Sequence, residues 1–159
     1  MRNWLRRDGR TGGDRPGVSG VEPLTKLLDD LDPELYREVF THSSWTERRA
    51  GSYERLAFLG DSVLGLAIST ELYPRFAEAT AGDLTKIRAQ AVSGVACARV
   101  AVLMEVPRRL TELAPNNPEI KVDELLAAQR VLASICEAVI GACYLQFGYE
   151  RTADAVVDA

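Results

Sequence analysis

Glu54, Ala57 and Asp61 stand at i, i+3 and i+7, which places them on one stripe of a helix. The segment that carries them is otherwise strongly apolar, with Leu56, Phe58, Leu59, Val63, Leu64, Leu66, Ala67, Ile68 and Leu72. A further acid, Glu137, interrupts the apolar stretch 131–140, and Ser134 lies one turn before it on the same face. Charges inside apolar helices are costly unless they find partners. If the two segments pack together, Glu54, Asp61 and Glu137 converge in one acidic cleft. Carboxylates so placed hold a divalent cation, share a proton, or pair with Arg or Lys. Arg55, Lys86 and Arg88 are the nearby cations for that last case. Gly60 and Gly65 each cost about 1 kcal/mol against alanine in a helix interior. They point to a close backbone approach, to another helix or to another subunit.

The elements that must position these residues read as helices almost throughout. Leu24, Leu27, Leu28 and Leu31 mark a first helix. Pro33 starts a second, followed by Leu35, Tyr36, Val39 and Phe40. Gly51-Ser52 closes a loop, and Ser52 is the expected cap of the third helix, 53–73, which is apolar on nearly all sides and therefore central and buried. Pro74 ends it. Helices over 84–92 and 95–104 follow, then a punctuated stretch, 107–118, with room for one short helical turn. A long helix over 122–147 closes on Gly148, and a short one over 149–157 ends the chain. No alternating strand pattern and no internal repeat appear, so the expected class is all-α.

The 159 residues, 47% hydrophobic and 26% charged, suit one globular domain. Residues 1–20 lack periodicity and form the expected flexible N-terminal arm, with the domain at 21–159. Residues 1–16 hold five arginines against two aspartates, a local charge of +3, whereas the remaining residues carry −7. So acidic a body does not grip nucleic acid by bulk electrostatics; any such contact must be a local patch or the arginine arm. No uninterrupted apolar run approaches the ~20 residues of a membrane span, and no membrane helix is expected. Cys97, Cys136 and Cys143 lie in apolar helical surroundings without a CxxC or a histidine cluster. They read as buried reduced thiols of a cytoplasmic protein. His42, the single histidine, reads as a helix-end residue.

Four segments resemble, in order and spacing, the ribonuclease III family. Residues 53–64, YERLAFLGDSVL, resemble its signature helix NERLEFLGDSVL. Thr41-His42-Ser43-Ser44-Trp45 is similar to the THxSY element, residues 82–89 to the GxLTxLRA helix, and residues 137–145 to the EALIGAxYL helix. The resemblance runs over about 35–153. It implies an all-helical homodimeric bundle that cuts double-stranded RNA, with Mg²⁺ or Mn²⁺ held by carboxylates to activate water. By position it implies catalytic roles for Glu54, Asp61 and Glu137, metal ligation by Asp61 and Glu137, and a dimer contact at Phe58. Lys86 and Arg88 match positions beside the catalytic valley and are candidate RNA contacts.

The departures from the pattern bear most on activity. Ala57 stands where the family has a second signature-helix glutamate, and Ser134 where it has an aspartate; both lost residues are metal ligands in the family. Mg²⁺ loses water reluctantly and depends on carboxylate charge, so two carboxylates instead of four imply weak or absent binding. The segment 114–129 also lacks the family's Gly-rich basic run, and a double-stranded-RNA-binding domain is not expected in this chain. The expected function is therefore a ribonuclease III-like domain with hydrolysis weakened or lost. The alternatives are a non-nucleolytic dimeric module that binds RNA or protein, and an acidic centre including His42 turned to other chemistry.

Overall fold

The computed structural model describes residues 20–117 and 119–159; the arm expected over residues 1–20 lies, but for Gly20, outside them. Among the described residues the secondary structure is helical, with α1 (Glu22–Asp29), α2 (Pro33–Val39), α3 (Glu54–Arg75), α4 (Ala81–Ala91) and α5 (Gly94–Leu103). They are followed by α6 (Val106–Leu113), α7 (Val122–Ala127), α8 (Gln129–Phe147) and α9 (Tyr149–Asp158). Two short 3-10 turns, Ser43–Trp45 and Arg49–Gly51, fill the loop before α3.

The bundle is organised on the α3–α8 crossing. Gly60 makes it possible: a Cβ there would overlap the Glu137 carbonyl, and one on Gly141 would overlap the Leu56 carbonyl. The two backbones thus touch directly. Gly65, by contrast, has nothing within 4 Å of the place its Cβ would occupy, so among the described residues it is Gly60, of the two expected glycines, that serves a close contact. α5 lies along α8, with Ala98 and Ala101 buried against it, and α9 packs on α3 and α1.

Several boundaries differ from expectation for identifiable reasons. The long helix expected over 122–147 is two helices, because Ala128 (φ −86°, ψ 99°) leaves the helical region. Pro74 sits in the last turn of α3 rather than beyond it, and the helix runs to Arg75. The stretch expected to hold one helical turn forms α6, whose Arg109 is buried, donates to the Met104 carbonyl and pairs with Asp29 at 2.6 Å. Tyr53 rather than Ser52 is the N-cap of α3; buried Ser52 accepts the Glu54 N–H at 3.4 Å and donates to the Arg49 carbonyl.

α3 is not buried all round. Leu56, Ala57, Gly60, Val63, Leu64 and Ala67 form its buried stripe, while Phe58 is 80% and Leu66 55% exposed. The helix has a second apolar face that no other described residue covers. α3 and α8 are also long and apolar enough, by length and composition, to cross a membrane, which corrects the expectation drawn from run length. Scattered acids such as Asp61 and Glu137 break every run without lowering the mean hydropathy of the helix much. Here the two helices pack on each other as the core of the bundle.

Candidate functional site

The close crossing at Gly60 and Gly141 decides where the acids go. Asp61 follows Gly60 on α3, and Glu137 supplies the carbonyl that lies against Gly60. The two carboxylates are near enough that the Asp61 charge, together with the larger effect of burial, pushes the Glu137 carboxyl above its usual range. Neither forms an ion pair among the described residues. Arg88 donates instead to the Ser69 hydroxyl at 3.2 Å, and Lys86 lies 3.9 Å from Asp83.

Glu54 is not brought to that pair. Arg49 donates to its Oε1 at 2.9 Å, and this bond, helped by Ser43, holds the exposed Glu54 carboxyl below its ordinary range. The shared stripe of Glu54, Ala57 and Asp61 is real, but two helical turns separate its ends and a loop arginine captures the first. At the intermediate position Ala57 is buried and presents a methyl group; Ser134 is half-buried, one turn before Glu137. Among the described residues no three His, Cys, Asp or Glu side chains are placed to hold a metal ion together. A hard dication needs oxygen ligands and net negative charge; two carboxylates, one with a raised pKa, do not fit the four-carboxylate centre that the motifs imply.

His42 takes the helix-end role expected of it. Its Nδ1 accepts the Ser44 N–H at 3.2 Å, capping the first 3-10 turn, and lies 2.8 Å from the Ser44 hydroxyl. Its ring stands edge-on to Tyr53 at 5.7 Å, and burial lowers its pKa against the opposing effect of Glu54. It belongs to the Glu54 edge of the molecule. Lys86 and Arg88 are exposed on α4, a helix that buries none of its residues. The role of Arg49 is not legible in the sequence, nor is the proximity of the Cys97 and Cys136 thiols to each other and to the acidic pair, although both cysteines are buried and free as expected. A loop arginine has no periodicity to betray it, and two cysteines 39 residues apart give no sign of facing each other.

The raised Glu137 pKa has a consequence for stability. The folded state holds this proton more tightly than the unfolded chain does. The linked stability is present in full below the ordinary glutamate pKa and is lost as pH rises through the folded value. Glu137→Gln is therefore expected to stabilise the domain at pH 7 and not at pH 4. The gain is about 0.5–1 kcal/mol after solvent screening, or about 2 °C in melting temperature. Equal melting of the two proteins at pH 7 would show that the carboxylates do not repel.

A family model described as ribonuclease-III-like matches residues 32–159. The chain is 42% identical over 130 residues to ribonuclease 3 of Rhodopseudomonas palustris, covering 79% of this chain and 45% of that protein. It is 34% identical over 141 residues to ribonuclease 3 of Natranaerobius thermophilus, covering 87% and 60% respectively. It thus spans about half the length of the curated relatives it matches. Among solved structures, the nuclease domain of ribonuclease III from Campylobacter jejuni superposes with a TM-score of 0.71 at 28% identity, covering 87% of this chain and 94% of that one. One description of that domain concerns flexibility in a region involved in dimer formation. With the family model, the relatives and the helical architecture in agreement, this chain belongs to the ribonuclease III-like family.

Proposed function

We propose that this chain is a self-associating ribonuclease III-like domain that engages double-stranded RNA and hydrolyses it very slowly or not at all. The observation that supports this reading is the donor set: among the described residues Asp61 and Glu137 lie together without a third metal-binding side chain, Glu54 is held by Arg49, and Ala57 and Ser134 stand where the family resemblance implies two further carboxylates. Water can complete the coordination shell of a dication bound to two carboxylates. It cannot replace the missing negative charge, so Mg²⁺ or Mn²⁺ binds weakly at Asp61 and Glu137. Lys86 and Arg88, exposed on α4, supply the local positive charge that an acidic body otherwise lacks, and phosphate contacts of this kind carry most non-specific affinity.

Self-association is supported by the uncovered apolar face of α3. Phe58 is 80% exposed and Leu66 lies two turns further along the same helix. A phenyl ring this exposed contributes little to the monomer, so Phe58→Ala is expected to leave the melting of the monomer nearly unchanged. The same change weakens the dimer by about 2 kcal/mol or more, a thirtyfold or greater rise in dissociation constant by analytical ultracentrifugation. An equally tight dimer would remove Phe58 from the interface.

The functional test compares the native chain with Glu137→Gln on long double-stranded RNA, in Mg²⁺ and in Mn²⁺. The expected result is retarded migration of the RNA with little or no cleavage by either protein. Brisk cutting by the native chain that disappears in Glu137→Gln would show that two carboxylates suffice for catalysis.

A further inference from the structure

Cys97 and Cys136 belong to neither the acidic pair nor the proposed self-association face, yet they face each other across the α5–α8 contact. A Cβ on Gly94 of α5 would lie 3.9 Å from the Ala133 Cβ of α8. One turn further along each helix come Cys97 and Cys136, and one turn beyond those come Ala101 and Ile140, all buried. The Gly94–Ala133 contact and one helical turn on each side bring the two thiols near each other, close enough for their side chains to interact, while the Cys97 thiol also points to the Val92 carbonyl at 3.9 Å. Bridged cysteines have Cβ atoms about 3.5–4.5 Å apart, the spacing that the Gly94–Ala133 turn already has. Both thiols are free. Cys136 also precedes Glu137 directly, which puts the pair behind the acidic residues.

We propose that Cys97 and Cys136 form a redox-responsive clasp, oxidised to an intramolecular disulfide by exchange with a low-molecular-weight disulfide. Cys97 is 4% exposed, so the exchange proceeds through local opening of α5: the Cys97 thiolate, near the start of that helix, then attacks one sulfur of oxidised glutathione, forming a mixed disulfide and releasing one glutathione thiolate. Cys136 then attacks the Cys97 sulfur, its proton leaving with the second glutathione. In sum, two protein thiols and one glutathione disulfide become one protein disulfide and two glutathione thiols. The bond closes a long loop and ties α5 to the helix that carries Glu137. Thiol pairs of this kind in reducing compartments serve as transient sensors rather than permanent staples.

The test incubates the folded chain in glutathione buffers of increasing oxidised fraction and reads intact mass, peptide linkage and melting. The expected product has lost two hydrogens, links Cys97 to Cys136 on peptide mapping, melts roughly 5–10 °C higher and reverts with dithiothreitol. Cys143→Ser, at a third buried thiol, should still give it. Cys97→Ser, whose fold is checked by its helical circular dichroism, should not. Only glutathione adducts, a linkage through Cys143, or no reaction of the folded chain while the denatured chain oxidises would each overturn the proposal.

Discussion

Gly60→Ala is expected to destabilise the domain by about 3–5 kcal/mol and to lower the melting temperature by roughly 10 °C or more. The added carbon would overlap the Glu137 carbonyl, a backbone atom that cannot rotate away, so α3 and α8 must separate to accept it. Separation strips dispersion contacts from the largest buried interface of the bundle and moves Asp61 away from Glu137. Gly141→Ala meets the Leu56 carbonyl from the other side and should behave alike. Gly65→Ala is the contrast. Nothing lies within 4 Å of its Cβ position, so helix propensity alone decides and the monomer gains about 0.5–1 kcal/mol. Thermal denaturation of the three variants by circular dichroism checks the set; similar melting of Gly60→Ala and the native chain would deny the close crossing.

Restoring the absent acids is the second large effect. The double variant Ala57→Glu/Ser134→Asp should bind Mn²⁺ at least about 10²–10³-fold more tightly than the native chain, since affinity for hard dications follows ligand charge. Isothermal titration measures it. The two positions should not contribute equally at first. Ser134 is half-buried one turn before Glu137, and an aspartate there reaches the acidic pair with little rearrangement. Ala57 is 7% exposed, so a glutamate must turn toward the pair or displace core side chains, and the single Ala57→Glu variant should melt below the native chain. If the restored protein gains cutting of double-stranded RNA in parallel with its gain in Mn²⁺ affinity, the scaffold has kept everything but its ligands. Unchanged Mn²⁺ affinity would mean that the two positions do not face Asp61 and Glu137.

What the sequence discloses follows from which forces are local. Helices α4 and α5 are legible in outline, but α4 begins three residues before its expected start, in the turn that Thr80 caps by accepting the Asp83 N–H, as Ser93 caps α5 by accepting the Ala96 N–H; Gly148, at φ 79°, ends α8 as a glycine should. The pairing of α3 with α8 is legible in Gly60 and in the acids that two apolar helices would otherwise not carry. The break at Ala128 is not, since alanine favours helix and only tertiary packing turns the chain there. Periodicity predicts α3 as buried because composition cannot tell an apolar face that meets the core from one left exposed; Phe58 and Leu66 lie on the exposed side of the helix. The acidic site is half legible. Asp61 and Glu137 meet as their helices dictate, whereas Glu54 is drawn off by Arg49, a loop residue placed by two 3-10 turns that no pattern announces.

The separation of Glu54 from the other acids leaves two carboxylates, Asp61 and Glu137, at the helix crossing. One of them, Glu137, already holds its proton more firmly than an ordinary glutamate because of burial and Asp61. A dication strong enough to displace that proton would reverse the shift, so metal affinity and the pH dependence of Glu137 are two views of one balance.

Titration of the native chain with Mn²⁺, followed by the loss of its free-ion electron paramagnetic resonance signal, tests that balance at its root. The donor set predicts no saturable site below about millimolar ion, and the same trace for Asp61→Asn as for the native protein. A stoichiometric site filled at micromolar Mn²⁺ and abolished by Asp61→Asn would contradict it.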